Sequence, residues 1–171
     1  MKQRSLPPAR LLSVAAIATV TACLASLDAM AQNTRTPDRQ SIERGRYLMR
    51  ITGCNDCHTP GYAASGGKVP EQQWLTGDGL GWRGPWGTTY ASNLRLFMQN
   101  LNEQQWVNLA RTVEYRPPMP WFSLRAMSNQ DLRALYRYVR HLGPAGQPAP
   151  AYVPPGEVPK GPHVTFPQPP G

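Results

Sequence analysis

Apolar side chains recur at helical spacing in three stretches of this chain, and no run of convincing length alternates as a strand would. The first predicted helix is capped by Ser41 and runs to about Thr52, with Ile42, Leu48 and Ile51 on one side. Gly45 leaves a flat spot between them, which invites another helix to approach closely. The second is capped by Asn102 and continues through about Val113, with Trp106, Leu109, Ala110 and Val113 at i, i+3, i+4 and i+7. The third starts at Ser128 with Asp131 behind it. It keeps Leu132, Leu135, Tyr136, Val139 and Leu142 at helical spacing until Gly143 and Pro144 stop it. A Gly- and Trp-rich stretch from Gly61 to Tyr90 separates the first two helices. The turn Arg116-Pro117-Pro118-Met119-Pro120-Trp121 separates the last two. The expected architecture is all-α, with long loops.

Both ends differ from this middle. Lys2, Arg4 and Arg10 precede the apolar run Leu11 to Val20, and Ala29-Met30-Ala31 follows, which reads as a secretory signal peptide over 1–31. A rival cut precedes Cys23, where Val20-Thr21-Ala22-Cys23 resembles a lipobox; only a lipidated Cys23 would bring in a membrane. The expected location is the periplasm. Residues 38–142 form the expected domain, and 143–171 a Pro-rich extended tail with 10 prolines in 29 residues. That tail is either a solvated appendage or an arm lying on a partner or on the domain itself. Tyr152, Val153, Val164 and Phe166 are its sticky residues.

Composition narrows the picture only a little. With 171 residues, 40% of them hydrophobic, and with 15 glycines and 19 prolines, the chain suits one globular domain rich in loops. The formal charge of +8 favours acidic partners without choosing among them. Nucleic-acid binding is not expected, because charge alone is weak evidence in an exported chain.

The chemistry lies in Cys54-Asn55-Asp56-Cys57-His58, a C-x-x-C-H sequence that reads as a c-type haem attachment site. Two thiols at this spacing can bond one porphyrin, and the adjoining histidine is carried beneath the iron as proximal ligand. Three other readings compete. A disulfide leaves His58 unexplained, a thioredoxin-like pair wants a βαβ context, and a zinc site must recruit His141 and His163. Met119, in a loop stiffened by Pro117, Pro118 and Pro120, is the expected sixth ligand. Met98 and Met127 are alternatives without that proline frame, and Met49 lies on the helix leading to the motif, on the wrong side.

These residues identify the domain as resembling a class I cytochrome c, and in particular the cytochrome c domains of electron-transferring subunits of bacterial dehydrogenases. The matching segments are Gly53-Cys54-Asn55-Asp56-Cys57-His58-Thr59, Pro118-Met119-Pro120-Trp121-Phe122 with Met127 to Tyr136, and Tyr90-Ala91-Ser92-Asn93-Leu94. The resemblance covers about Ser41 to Leu142. It implies a class I cytochrome c fold, about three main helices around one covalently bound haem. It also implies that Gly45 meets an aromatic residue of the last helix, Tyr136 or Tyr138. This chain has one attachment motif where many of those subunits carry two or three. Its stretch with Trp74, Trp82, Trp86 and Arg83 is longer than a minimal cytochrome needs, and serves either as a haem-edge lid with Asn93 or as core filling.

The expected function is single-electron transfer between redox protein partners, a dehydrogenase or a terminal oxidase among them, by a protein that is not itself an enzyme. One class of alternative is a haem enzyme or gas-binding protein with an open or labile sixth iron position. Another is an assembly module whose tail binds a partner. Arg133, Arg137 and Arg140 on the last helix form either a steering stripe for an acidic partner or an ordinary solvated face.

Overall fold

The helical pattern is realised, and side-chain caps set the starts of two long helices. The computed structural model describes residues 39–167. The expected signal peptide, its cleavage site and Cys23 lie outside them. Helices α1 (39–51), α2 (Cys54–His58), α3 (Leu94–Phe97), α4 (Glu103–Thr112), α5 (Trp121–Ala126) and α6 (Asn129–Leu142) follow in chain order. Strands β1 (Gly81–Gly84) and β2 (Gly87–Tyr90) fall between α2 and α3, and β3 (His163–Thr165) follows α6. No described helix is long and apolar enough to cross a membrane.

Asn102 accepts the Gln105 amide at 2.8 Å while the Gln105 side chain accepts the Asn102 amide at 2.8 Å, a reciprocal cap that starts α4. Ser128 accepts the Asp131 amide at 3.0 Å and starts α6. Ser41 caps nothing, since α1 is already helical at residue 39. The inward face of α1 is Gly45, Leu48 and Met49, which turns Ile51 outward and leaves it 58% exposed, contrary to its expected place on the apolar side.

The flat spot at Gly45 is where α1 meets α6. A Cβ there would lie 2.1 Å from the Ala134 carbonyl oxygen and 2.7 Å from the Tyr138 Cβ. The aromatic partner is therefore Tyr138, while Tyr136 points elsewhere and donates its hydroxyl to the Leu101 carbonyl at 2.8 Å. Leu132, Leu135, Tyr138 and Val139 of α6 are buried with Trp106, Val107 and Ala110 of α4 in one core. Each of these side chains, fully buried, contributes about 1.5–3 kcal/mol or less toward folding.

The all-α expectation needs correction, because a small sheet is present with strand order β2-β1-β3. β1 and β2 form an antiparallel hairpin with Trp82 opposite Thr89, and β3 runs parallel to β1 with His163 beside Gly81. Strands of three or four residues are too short to show alternation, and β3 lies far along the chain from its partner.

The tail supplies β3 and lies on the domain's own surface. Asn93 donates to the carbonyls of Ala145 and Gln147 at 2.8 and 3.1 Å. Thr88 and Val153 exchange both backbone hydrogen bonds, at 2.8 and 3.0 Å. The Phe166 amide donates to the Arg83 carbonyl at 2.7 Å, and its ring packs 5.2 Å from that of Trp86 and 6.1 Å from that of Trp82. Arg95, buried despite its charge, donates to the carbonyls of Leu142, Gly143 and Gln72, and so ties the end of α6 to the loop beneath it. Burial lowers its pKa.

Candidate functional site

Gly53, at φ 74°, turns the chain out of α1 in a left-handed conformation that costs glycine little. Three residues apart on α2, the thiols of Cys54 and Cys57 then share a helix face, with His58 at the helix end. Both thiols are free and half-buried, and burial raises the pKa of each. The Thr52 hydroxyl lies 3.3 Å from the Cys54 sulfur.

His58 is buried, which lowers its pKa against the opposing pull of a bond to the Ser92 carbonyl. That carbonyl can only accept, so at 2.7 Å the imidazole Nδ1 carries the proton and Nε2 keeps its lone pair. The backbone around the ring is pinned as well. The His58 carbonyl accepts the Gly77 amide at 2.9 Å. The Thr59 hydroxyl donates to Asn55 Oδ1 and accepts the Leu75 amide, both at 2.8 Å. Leu75 is fully buried at φ 63°, a left-handed conformation that costs a leucine about 1–3 kcal/mol and is held by these bonds.

A largely apolar cavity of about 360 Å³ is lined by Cys54, Cys57, His58 and Met119 together, although Met119 lies far along the chain. Met49 and Met98 also line it, at 2% and 0% exposure. Met49 is therefore not on the wrong side, because the α1 face that buries Leu48 carries it inward. Met127 packs against the core without reaching the cavity wall. A wider open cleft of about 690 Å³ lies between the outer face of α1 and Asp56, and none of the four expected ligands lines it.

Of the Trp-rich stretch, Trp82 and Tyr90 reach the cavity wall. Trp74 fills core, donating its indole N–H to the Val69 carbonyl at 2.8 Å with Tyr62 edge-on at 5.6 Å. Trp86 packs on Phe166, Arg83 does not line the cavity, and Asn93 is occupied with capping α3 and holding the tail. The basic stripe is used inside the chain. Arg133 and Arg137 both pair with Glu103 at 2.7 Å, and Arg140 donates to the Gln99 side chain at 2.8 Å. Those bonds, led by the one from Arg137, lower the Glu103 pKa against the effect of burial.

Sequence reasoning missed several contributors. Ser92, Thr89 and Arg116 join the wall through contacts between distant segments, and Arg116 is the one arginine, lysine or carboxylate on it among the described residues. Their only signal was position, in the segment before the middle helix and at the edge of the proline turn.

The donors fit a haem. Two thiols, an imidazole whose far nitrogen is fixed by a carbonyl, a loop thioether and walls of Leu94, Phe97, Trp106 and Leu135 offer an apolar macrocycle both attachment points and axial ligands. The zinc alternative finds no support. No group of three or more His, Cys, Asp or Glu side chains able to hold a metal occurs among the described residues, His141 and His163 included.

No family profile and no solved structure matches the chain. Curated relatives do. It is 28% identical to the cytochrome c subunit of a quinone-type alcohol dehydrogenase from Gluconacetobacter polyoxogenes, over an alignment of 144 positions covering 76% of this chain and 28% of that relative. It is 30% identical to the fructose dehydrogenase cytochrome subunit of Gluconobacter japonicus, covering 82% of this chain and 30% of the relative. A nicotinate dehydrogenase subunit of Pseudomonas putida is 29% identical, covering 64% of this chain and 9% of the relative. The chain thus spans less than a third of the length of each. By sequence, this chain resembles a cytochrome c domain and is a homologue of part of the cytochrome c subunits of bacterial dehydrogenases.

Proposed function

We propose that Cys54 and Cys57 hold one haem c covalently, that His58 and Met119 are its axial ligands, and that the protein passes single electrons between redox partners in the periplasm. A dehydrogenase stands on one side of that exchange, as a complex that includes this chain or as its electron donor. This rests above all on a single apolar cavity whose wall takes in both thiols, the histidine and the distant methionine.

The cofactor, when bound, supplies a one-electron couple at its iron. The chain's own residues supply the setting. Ser92 fixes the ring of His58 in the tautomer that leaves Nε2 available, and strengthens it as a donor. Burial keeps that ring neutral. The leucine, phenylalanine and tryptophan walls exclude water and lower the local dielectric, which sets the balance between the two oxidation states. Met119 is favoured over Met49 and Met98 because those two, although they line the cavity, are almost fully buried among core side chains, whereas Met119 sits half-buried on a loop free of helical constraint. A thioether ligand raises the reduction potential, as suits a carrier. The names of the relatives support a dehydrogenase partner.

Optical spectra of the oxidised and reduced holoprotein test this, beside Met119→Ala, Met49→Ala and Met98→Ala. The expected result is a sulfur-to-iron charge-transfer band lost only in Met119→Ala, with haem that resists acid extraction unless Cys54 and Cys57 are both replaced. A high-spin reduced form that binds carbon monoxide readily replaces the carrier reading with the gas-binding or enzymatic one.

A further inference from the structure

The loop that presents Met119 has little backbone bonding of its own. Pro117, Pro118 and Pro120 donate no N–H, and within the loop the Trp121 amide reaches back to the Met119 carbonyl at 2.9 Å. Besides the packing of Met119 on the core, two side-chain contacts tie the loop to other segments among the described residues. Thr89 of β2 donates its hydroxyl to the Pro117 carbonyl at 2.7 Å, and the guanidinium of Arg116 lies 3.9 Å from the centre of the Tyr152 ring. Tyr152 belongs to the tail and is itself held there. Its hydroxyl donates to the Trp86 carbonyl at 2.8 Å, and its neighbour Val153 is paired with Thr88. The fit beneath it is close. A Cβ on Gly87 would lie 2.4 Å from the Val153 carbonyl oxygen and 2.9 Å from the Tyr152 hydroxyl, so this hairpin position admits only glycine beneath the tail.

We infer that the Pro-rich tail is a strap that positions the Met119 loop, with the Arg116–Tyr152 stack as its clasp and Thr89 as a second fastening. Tyr152 does not line the cavity and is a positioning residue that acts through the loop; Arg116 and Thr89, which also line the cavity, are its contacts on the loop side. The inference rests on the His58/Met119 reading. With the clasp open, the loop spends more time away from the cavity wall, and a small external ligand competes better for the sixth position. A cation–π contact of this exposure corresponds to a gain in external-ligand affinity of between about twofold and fivefold.

The test is an imidazole titration of the oxidised full-length holoprotein, followed by loss of the sulfur-to-iron band, with thermal melting in parallel. Arg116→Ala and Tyr152→Ala each raise imidazole affinity by that factor while the melting temperature stays within a few degrees. The double variant adds nothing to Tyr152→Ala, because the contact that Arg116→Ala removes is already absent there. Tyr152→Phe keeps the ring and restores most of the wild-type affinity. Unchanged affinity in both alanine variants overturns the strap, as does an increase that merely follows a fall in melting temperature. Met119→Ala separates the two levels. If the wild type shows the band and Met119→Ala removes it, a null result in the clasp variants sinks the strap alone. If the band is absent from the wild type, the ligand reading fails and takes the strap with it.

Discussion

The segments that carry His58 and Met119 line one cavity but are held in different ways. Around His58 the supporting bonds come from Asn55, Leu75, Gly77 and Ser92, all within one unbroken stretch of chain. Around Met119 they come from a hairpin before α3 and from a tail after α6, so the chain has to leave and return before the loop is secured. The first support is largely buried; the second is exposed at Thr89 and depends in part on the tail. Buried bonds that leave an orphan when cut are costly to lose, whereas exposed clasps contribute less to stability. The His58 side is therefore built to persist and the Met119 side to be adjustable.

Changes in either support, or in the frame beneath both, can break this contrast. Gly45→Val carries the largest expected effect. Its Cβ meets the backbone of Ala134, which has no room to yield, and the variant loses about 3 kcal/mol or more in urea unfolding. Both segments should loosen together, because Leu135 of α6 lines the cavity that they share; a melt that disturbs one alone contradicts a shared frame. Next comes Thr59→Val, which orphans the Leu75 amide and Asn55 Oδ1 in a fully buried site and costs about 2 kcal/mol. A loss no larger than that of an exposed substitution means the His58 support is not what the bonds suggest. Asn93→Ala should cost least, about 1 kcal/mol for the lost cap of α3. It also frees Ala145 and Gln147, so proteolysis within the tail should quicken while amide exchange around His58 stays slow.

This difference also governs what could be read in advance. The thiols, the histidine and the caps at Asn102 and Ser128 announce themselves through spacing and side-chain chemistry within a few residues. Gly45 signalled a helix contact through the absence of a side chain, though only the fold could choose Tyr138 over Tyr136. Pairing between β1 and β3 leaves no such trace, because neither strand is long enough to alternate and the partner is remote. Tyr152, Val153 and Phe166 stood out as sticky, and they are the residues that dock, while Val164 stays 43% exposed. The arginines of α6 left two readings open, because charge pattern cannot reveal an acidic neighbour such as Glu103 on another helix.

The parallel pairing of β3 with β1 sets an order of events for a chain made from its N-terminus. When Leu142 has been added, every residue that supports His58 already exists, and the α1–α6 crossing can close. The residues that cover the hairpin come last, from Tyr152 to Phe166. Until they arrive, β1 has one neighbour instead of two and Arg116 has no ring to stack on. Folding in this order thus leaves a late interval in which the His58 segment has its supports and the Met119 loop still lacks its strap.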